Sequence, residues 1–419
     1  MINDDIITAL AKKYNTPLYL YDGNIISEKI NRMKKLLPPD TVLFYSIKAN
    51  PLIGITRLMR EKGCKVEVAS DGEIEIALCA GFNGADIIFT GPGKTEEEIL
   101  FAIEKGVYCI IAESYEEILC INSLSKKLNR VTNIGLRLNP SIDNISGSVI
   151  MGGVSQFGIS EEFVDNIIPK VKSLSNIRLI ALHSYLASQQ LDAGKIVDNV
   201  RHIFNLYNEL IEKHSLDIEL LDFGGGFGVP YFPHEHALDE DRLRNGLAEV
   251  FTNKKEGIVL AFESGRYLLA DAGVYITKII YVKECKDKLF AIVDGGSHHY
   301  SSLAFLGRYI RHNFPARIIS EKKQIKTATV TVCGKQCAPT DILAKDIELN
   351  MPNAGDLMIF EKSGAYGFSM SPVLFLSNKT CTELLLLEDR VYLLRESMGR
   401  EFFANIQKSN ENYIRIQDL

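Results

Sequence analysis

The chain has 419 residues, 46% of them hydrophobic and 24% charged, the composition of an ordinary globular protein of one large or two medium domains. A net charge of −6 argues against nucleic acid as a main partner, and no apolar run reaches the length of a membrane span. The eight cysteines show no Cys-x-x-Cys spacing, so reduced thiols in a cytoplasmic protein are expected, with no secretory signal in the acidic opening MINDDIITALAKKY.

In chain order, NTPLYLY (15–21) reads as a strand. From about residue 40 the pattern alternates. Apolar, β-branched runs fall at 42–47, 65–68, 86–90, 108–112, 133–138, 178–184, 219–223 and 258–262, with helical patterns between them. Ser70-Asp71-Gly72-Glu73 and Ser114-Tyr115-Glu116-Glu117 have capping-box spacing, and Gly63, Gly81 and Gly106 sit where helices should end. The acidic run Glu96–Glu98 suits a helix's first turn. Eight βα units predict a closed parallel (β/α)8 TIM barrel, with an open doubly wound sheet as the alternative. After residue 270 the runs at 274–282, 289–296, 327–334, 356–364 and 382–395 predict antiparallel strands. The strand near residue 20 is expected to join them. The predicted organisation is a barrel over 28–268, with 1–27 and 269–419 together forming a C-terminal antiparallel β-barrel or sandwich domain.

The candidate site residues gather at the carboxyl ends of the barrel strands, where this fold places its chemistry. Lys48, in FYSIKANP (44–51), ends the first strand. Such an amine either reaches into solvent or stands partly desolvated in a cleft, where it is nucleophilic enough to form a Schiff base. Tyr185 and Ser188 follow the sixth strand. DFGGGFGVP (222–230) follows the seventh; Gly224, Gly225 and Gly226 make either a tight turn or a backbone cradle for phosphate. FESGR (262–266) follows the eighth; Glu263 and Arg266 form a structural ion pair, or Glu263 holds a heteroaromatic nitrogen protonated while Arg266 binds phosphate or a carboxylate. In the tail, Cys337 of CAPTD (337–341) is an inert thiol or a proton donor, and Tyr366 of SGAYGFS (363–369) packs at the core edge or reaches a neighbouring site. His298 and His299 form no ligand spacing with Cys or Glu, so no metal is expected.

Taken together, FYSIKANP, GGGFG, ESGR, Cys-x-x-x-Asp and GAYG, in this order over about residues 10–400, resemble the fold-type III pyridoxal-phosphate decarboxylases of diaminopimelate, ornithine and arginine. The resemblance implies an alanine racemase-like pairing of barrel and β domain. It implies pyridoxal 5′-phosphate bound covalently to Lys48, with Ser188, Gly224 to Gly226 and Arg266 around its phosphate, Glu263 facing its ring nitrogen, and Tyr185, Gly265 and Tyr366 also binding the cofactor. It implies a homodimer in which Cys337 and Tyr366 complete the site across the subunit boundary, and Asp341 and Tyr366 are assigned to the substrate side. Two departures stand out. Tyr185 occupies the place where the family stacks a His on the ring, with His183 two residues earlier. Ala338 follows Cys337, where members acting on diamino acids place an acid for the distal ammonium.

MGGVSQFGIS (151–160), GFGVPYFPHEHALD (226–239) and FSMSPVLFLS (368–377) are similar to the subgroup that decarboxylates a glutamyl group thioesterified to an acyl-carrier protein. That resemblance implies a carrier-protein partner in natural-product biosynthesis. Arg308 and Arg311, in LGRYIRHNFP, either face solvent or contact substrate carboxylate or pantetheine phosphate, and Arg266 is assigned to the substrate as well as to the cofactor. Diaminopimelate decarboxylase, a siderophore citryl-diaminopropionate-type decarboxylase and a catalytically silent decarboxylase-like regulator are the alternatives.

Overall fold

The structure, a computed structural model of the chain, describes residues 2–141, 149–150, 153–304, 312–320 and 326–409. It divides into two compact units: Gly23–Ala272, and Met1–Asp22 together with Gly273–Leu419.

In the first unit eight parallel strands close on themselves: Val42–Ser46, Lys65–Val68, Ile87–Phe89, Cys109–Ala112, Thr132–Asn139, Ile177–His183, Leu220–Asp222 and Val259–Ser264. Closure is made by the eighth strand pairing with the first, Glu263 opposite Phe44 and Ser264 opposite Tyr45. The expected TIM barrel is therefore the observed fold. Its interior is filled by Phe44, Ile88, Cys109, Ile111, Ile180, Ala181, Leu220 and Ala261, side chains that alternate inward along short strands. Helices follow the strands, beginning with Ile53–Glu61, Asp71–Cys79, Glu96–Glu104 and Tyr115–Lys127.

The helix starts are written locally. The Ser70 and Ser114 hydroxyls accept from the backbone N–H groups of Glu73 and Glu117. Thr95 and Glu98 form a complete reciprocal cap on the acidic run. The carboxylates of Glu73 and Glu117 turn instead to the N–H groups of Ala69 and Glu113, one residue before each cap. Gly63, Gly81 and Gly106 close their helices with positive φ.

The second unit is a nine-stranded sheet. Leu18–Asp22 lies between Gly273–Cys285, antiparallel, and Thr382–Leu387, parallel. Leu289–Ile292 likewise runs parallel to Val330–Cys333. The sheet is mixed rather than purely antiparallel. A parallel pair needs a long crossover, which the intervening chain provides in both cases. Two strands beyond those predicted, Ala316–Ile319 and Ile342–Asn350, complete it. The helix Asp4–Tyr14 lays Ile7, Leu10 and Ala11 on Leu18, Leu20, Ile276, Ile359 and Leu384. Beside that core, Tyr19 stacks on Tyr275 with ring centroids 4.8 Å apart, and the Tyr19 hydroxyl donates to the carbonyl of His299 at 2.8 Å.

Because Ile7 is fully buried, Ile7→Ala is expected to destabilise the protein by about 2 to 4 kcal/mol, read as a lowered midpoint in denaturant unfolding. A midpoint within error of wild type would contradict this packing.

Candidate active site

Lys48 follows the first barrel strand in a short 3₁₀ turn, Ile47–Ala49. Its ammonium donates to both oxygens of Glu67, each at 2.8 Å. Glu67 lies in the second strand, 1% exposed, and also accepts from the Thr90 hydroxyl at the end of the third strand. The sequence leaves this amine either reaching into solvent or partly desolvated. The Lys48 side chain is 43% exposed, and the buried partner is the carboxylate. Burial pushes the Glu67 carboxyl up, but the Lys48 charge and hydrogen bonds from Lys48, Thr90 and Ser46 outweigh it and hold the group below its ordinary range. Glu73, nearby on the following helix, is pushed up to about 7 by its own burial and then by the charge of Glu67.

Across the barrel mouth, the glycine turn after the seventh strand admits no side chain. A Cβ on Gly225 would stand 2.2 Å from the Glu263 carbonyl oxygen, and one on Gly226 2.1 Å from that of Ala187. Gly224 and Gly226 have φ of +61° and +94°, and a Cβ on Gly224 would meet the Tyr185 ring at 2.5 Å. The turn is laced to the segment after the sixth strand. Gln190 N–H donates to Gly226 O at 2.8 Å, and Gln189 exchanges hydrogen bonds with Val229. The half-buried Ser188 lies beside Gly226. The N–H groups of Gly225 and Gly226 donate to no described residue. Such unobstructed amides are the donor set a phosphate takes.

Glu263, 2% exposed, ends the eighth strand. His183 Nε2 lies 3.1 Å from its Oε1. Asp222, fully buried, accepts from Gly224 N–H at 2.8 Å. One donor atom each of His183, Asp222 and Glu263 lies within 4.8 Å of the others. Burial, then the Glu263 charge, push the Asp222 carboxyl up to about 7 against the pull of His183. Gly265 packs on Ala49, where a Cβ would sit 2.7 Å from that methyl, which joins the end of the eighth strand to the Lys48 turn. Arg266 is half-buried, its Nη1 donating to the Tyr231 hydroxyl at 3.2 Å.

Sequence reasoning singled out Lys48, Tyr185, Ser188, Gly224 to Gly226, Glu263, Gly265 and Arg266, and the barrel unit brings them to one rim. It did not single out Glu67, Thr90 or Asp222. Nor did it find the buried pair of Arg137 and Glu113, 2.8 Å apart, whose carboxylate also takes the N–H groups of Gly91 and Gly158. Each is a lone polar residue near a strand end, and only closure of the barrel shows its partner.

Cys337, Asp341 and Tyr366 belong to the β unit. Cys337 is exposed, in a turn closed by Asp341 N–H donating to Ala338 O at 3.1 Å. The Asp341 carboxylate, assigned to substrate from the sequence, is instead buried and accepts from the N–H groups of Ser297 at 2.6 Å and Gln336 at 2.7 Å. It pins the Cys337 turn. Tyr366 is half-buried with φ of +55°. His298 and His299 are buried, His298 pushed down to about 4 by that burial, and His299 packs against the Tyr275 hydroxyl. Arg308 and Arg311 lie outside the described residues.

Residues 24–270 match the family model of the pyridoxal-dependent decarboxylases, over their pyridoxal-binding domain. The chain belongs to this family. It is 37% identical to the L-glutamyl-[BtrI acyl-carrier protein] decarboxylase of Niallia circulans, covering 98% of each chain. It is 31% identical to the 2-[(L-alanin-3-ylcarbamoyl)methyl]-2-hydroxybutanedioate decarboxylase of Staphylococcus aureus, over 86% of this chain and 91% of the relative. The diaminopimelate decarboxylase of Helicobacter pylori, solved with L-lysine, superposes with a TM-score of 0.87 at 26% identity, over 96% of this chain and 98% of that one. The protein is thus a pyridoxal-phosphate-dependent carboxy-lyase. No described helix is long and apolar enough to cross a membrane.

The glycine cradle and the buried carboxylate of Glu263 on one rim fit that cofactor's phosphate and its ring nitrogen. The Lys48–Glu67 pair has a pH signature of its own. A carboxyl held low in the folded state contributes stability that is complete above its unfolded value, about 4.3, and is lost as pH falls through the lower folded value. Wild type is therefore expected to exceed Glu67→Gln by about 1 to 3 kcal/mol in denaturant unfolding of the cofactor-free proteins at neutral pH. The gap closes as the pH is taken well below 4. A gap that stays constant throughout the acid range would contradict the ion pair.

Proposed function

We propose that the enzyme removes the α-carboxylate of an amino acid whose distal end bears no free ammonium, and that the substrate is a glutamyl group thioesterified to an acyl-carrier protein. The observation that carries this is Ala338. It follows Cys337 directly, half-buried in the turn that Asp341 closes, and by the resemblance it stands where members acting on diamino acids place an acid for the distal ammonium. An ammonium confined there would lose its hydration without compensation. The full-length likeness to the glutamyl-carrier-protein decarboxylase supports the same reading. A second reading, an amide-linked conjugate of the kind named for the Staphylococcus relative, is favoured by the same alanine, because an amide carries no ammonium either.

When bound, pyridoxal phosphate supplies the electron sink for the pair of electrons that CO2 leaves behind. In this reading Lys48 holds the cofactor through its amine, with Glu67 fixing that amine at the rim. The amides of Gly225 and Gly226, with Ser188 and Arg266, hold the phosphate; Gly224 and Gly265 keep the space clear. Tyr185 would support the ring, and Glu263 would favour the protonated ring nitrogen. Cys337 holds a thiol proton for delivery to Cα, and Tyr366 borders the substrate. Both would be supplied across the subunit boundary of a homodimer. Arg308 and Arg311 are proposed contacts for the carrier's pantetheine phosphate.

Glutamyl carrier thioester is expected to be decarboxylated with kcat/KM at least about a hundredfold above that of free lysine or diaminopimelate, measured as CO2 release. Efficient turnover of either free diamino acid would overturn the argument from Ala338. Cys337→Ala is expected to keep the cofactor's visible absorbance and to slow turnover by on the order of a hundredfold; an unchanged rate and product profile would remove Cys337 from the proton step.

A further inference from the structure

Glu263 is not alone at the bottom of the rim. His183 ends the sixth strand and is 1% exposed. Its Nε2 faces Glu263 Oε1 at 3.1 Å, while its Nδ1 has no hydrogen-bond partner among the described residues. Asp222 ends the seventh strand, opposite His183 in the ladder. Its Oδ1 takes the Gly224 N–H, and its Oδ2 is also buried without a partner among the described residues. Two carboxylates and an imidazole thus share one buried pocket between the glycine cradle and the eighth strand. Two carboxylates so placed repel each other unless a proton or a cation lies among them.

We propose that His183 is a positioning residue for the cofactor ring: its Nε2–H donates to Glu263 Oε1, which orients that carboxylate and leaves Oε2 to face the ring nitrogen. A carboxylate only accepts, so the 3.1 Å contact requires the proton on Nε2. Burial favours the neutral form of the neighbouring Asp222, which lessens its repulsion of Glu263. The same Asp222 accepts from the glycine turn, so the residue opposite His183 in the ladder also touches the phosphate cradle. The logic is that of a ligand held by an outer partner, which sets both its orientation and its basicity. Without His183, Glu263 would lose the donor that orients it, and its hold on a protonated ring nitrogen would weaken. The inference rests on the reading that Glu263 faces that nitrogen.

The test uses full-length enzyme loaded with pyridoxal phosphate labelled with 15N in the ring, whose NMR shift reports ring protonation directly. In wild type the ring nitrogen is expected to be protonated at neutral pH. Glu263→Gln should leave it bare. His183→Leu should shift the balance toward the bare form by about tenfold or more, the ratio that one unit of pKa represents. His183→Gln, which restores an N–H near the Nε2 position, should recover most of the protonated form. A protonated ring in Glu263→Gln would overturn the placement of Glu263 and this inference with it. A ring lost in Glu263→Gln but fully retained in His183→Leu would overturn the inference alone. Should the leucine variant fail to fold, 15N-histidine labelling of wild type still decides the question. The His183 signal, assigned by its absence from His183→Gln, should show Nε2 protonated, and a bare Nε2 would overturn the proposal.

Discussion

A carboxylate buried as deeply as Glu67 cannot stand alone, because an unpaired charge away from water is among the costliest features a fold can contain. The Lys48 ammonium, 2.8 Å from both of its oxygens, meets that requirement. The arrangement depends on adjacent strands meeting in one register, with Ser46 opposite Glu67. Lys48 is thereby held at the barrel mouth instead of sweeping through solvent as an ordinary lysine would. Its side chain stays 43% exposed, so the amine is both fixed in place and reachable.

From that fixed point the rest of the rim follows by closure. The eighth strand pairs with the first, so Glu263 and Gly265 come beside the Lys48 turn although they lie more than half the chain away. The glycine turn rests directly on the Glu263 backbone, with the Glu263 N–H donating to Gly224 O at 2.7 Å. Any side chain at Gly225 would push the two apart. The amides that suit a phosphate and the carboxylate that suits a ring nitrogen are thus spaced by backbone contact, not by flexible side chains. That rigidity is what a covalently held cofactor needs if its reactive carbon is to sit in one place.

Much of this was legible in the sequence. Eight β-branched runs between capped helices specify a parallel barrel, and the strand ends point to Lys48, the triple glycine and Glu263. What could not be read was pairing. Glu67 in the run Lys65-Val66-Glu67-Val68 looks like the polar half of an alternating strand, and Glu113 and Arg137 look like separate surface charges. Only the closed ring turns them into buried partners. In the β unit, Ile342–Asn350 escaped notice because Lys345, Asp346 and Glu348 interrupt its apolar pattern, and Ala316–Ile319 because it is short. Asp341 resembled a substrate ligand by its place in a motif, whereas its two oxygens are taken up by the backbone amides of Ser297 and of Gln336 in its own loop. An acid near a catalytic thiol can shape the loop without touching the substrate.

The central claim is that a single amine, Lys48, holds the aldehyde coenzyme. Borohydride reduction of the cofactor-loaded enzyme, followed by peptide mass spectrometry, tests it most directly. The account predicts a pyridoxyl adduct on the peptide containing Lys48 and on no other. An adduct on a different lysine, or none on an enzyme that remains active, would contradict it.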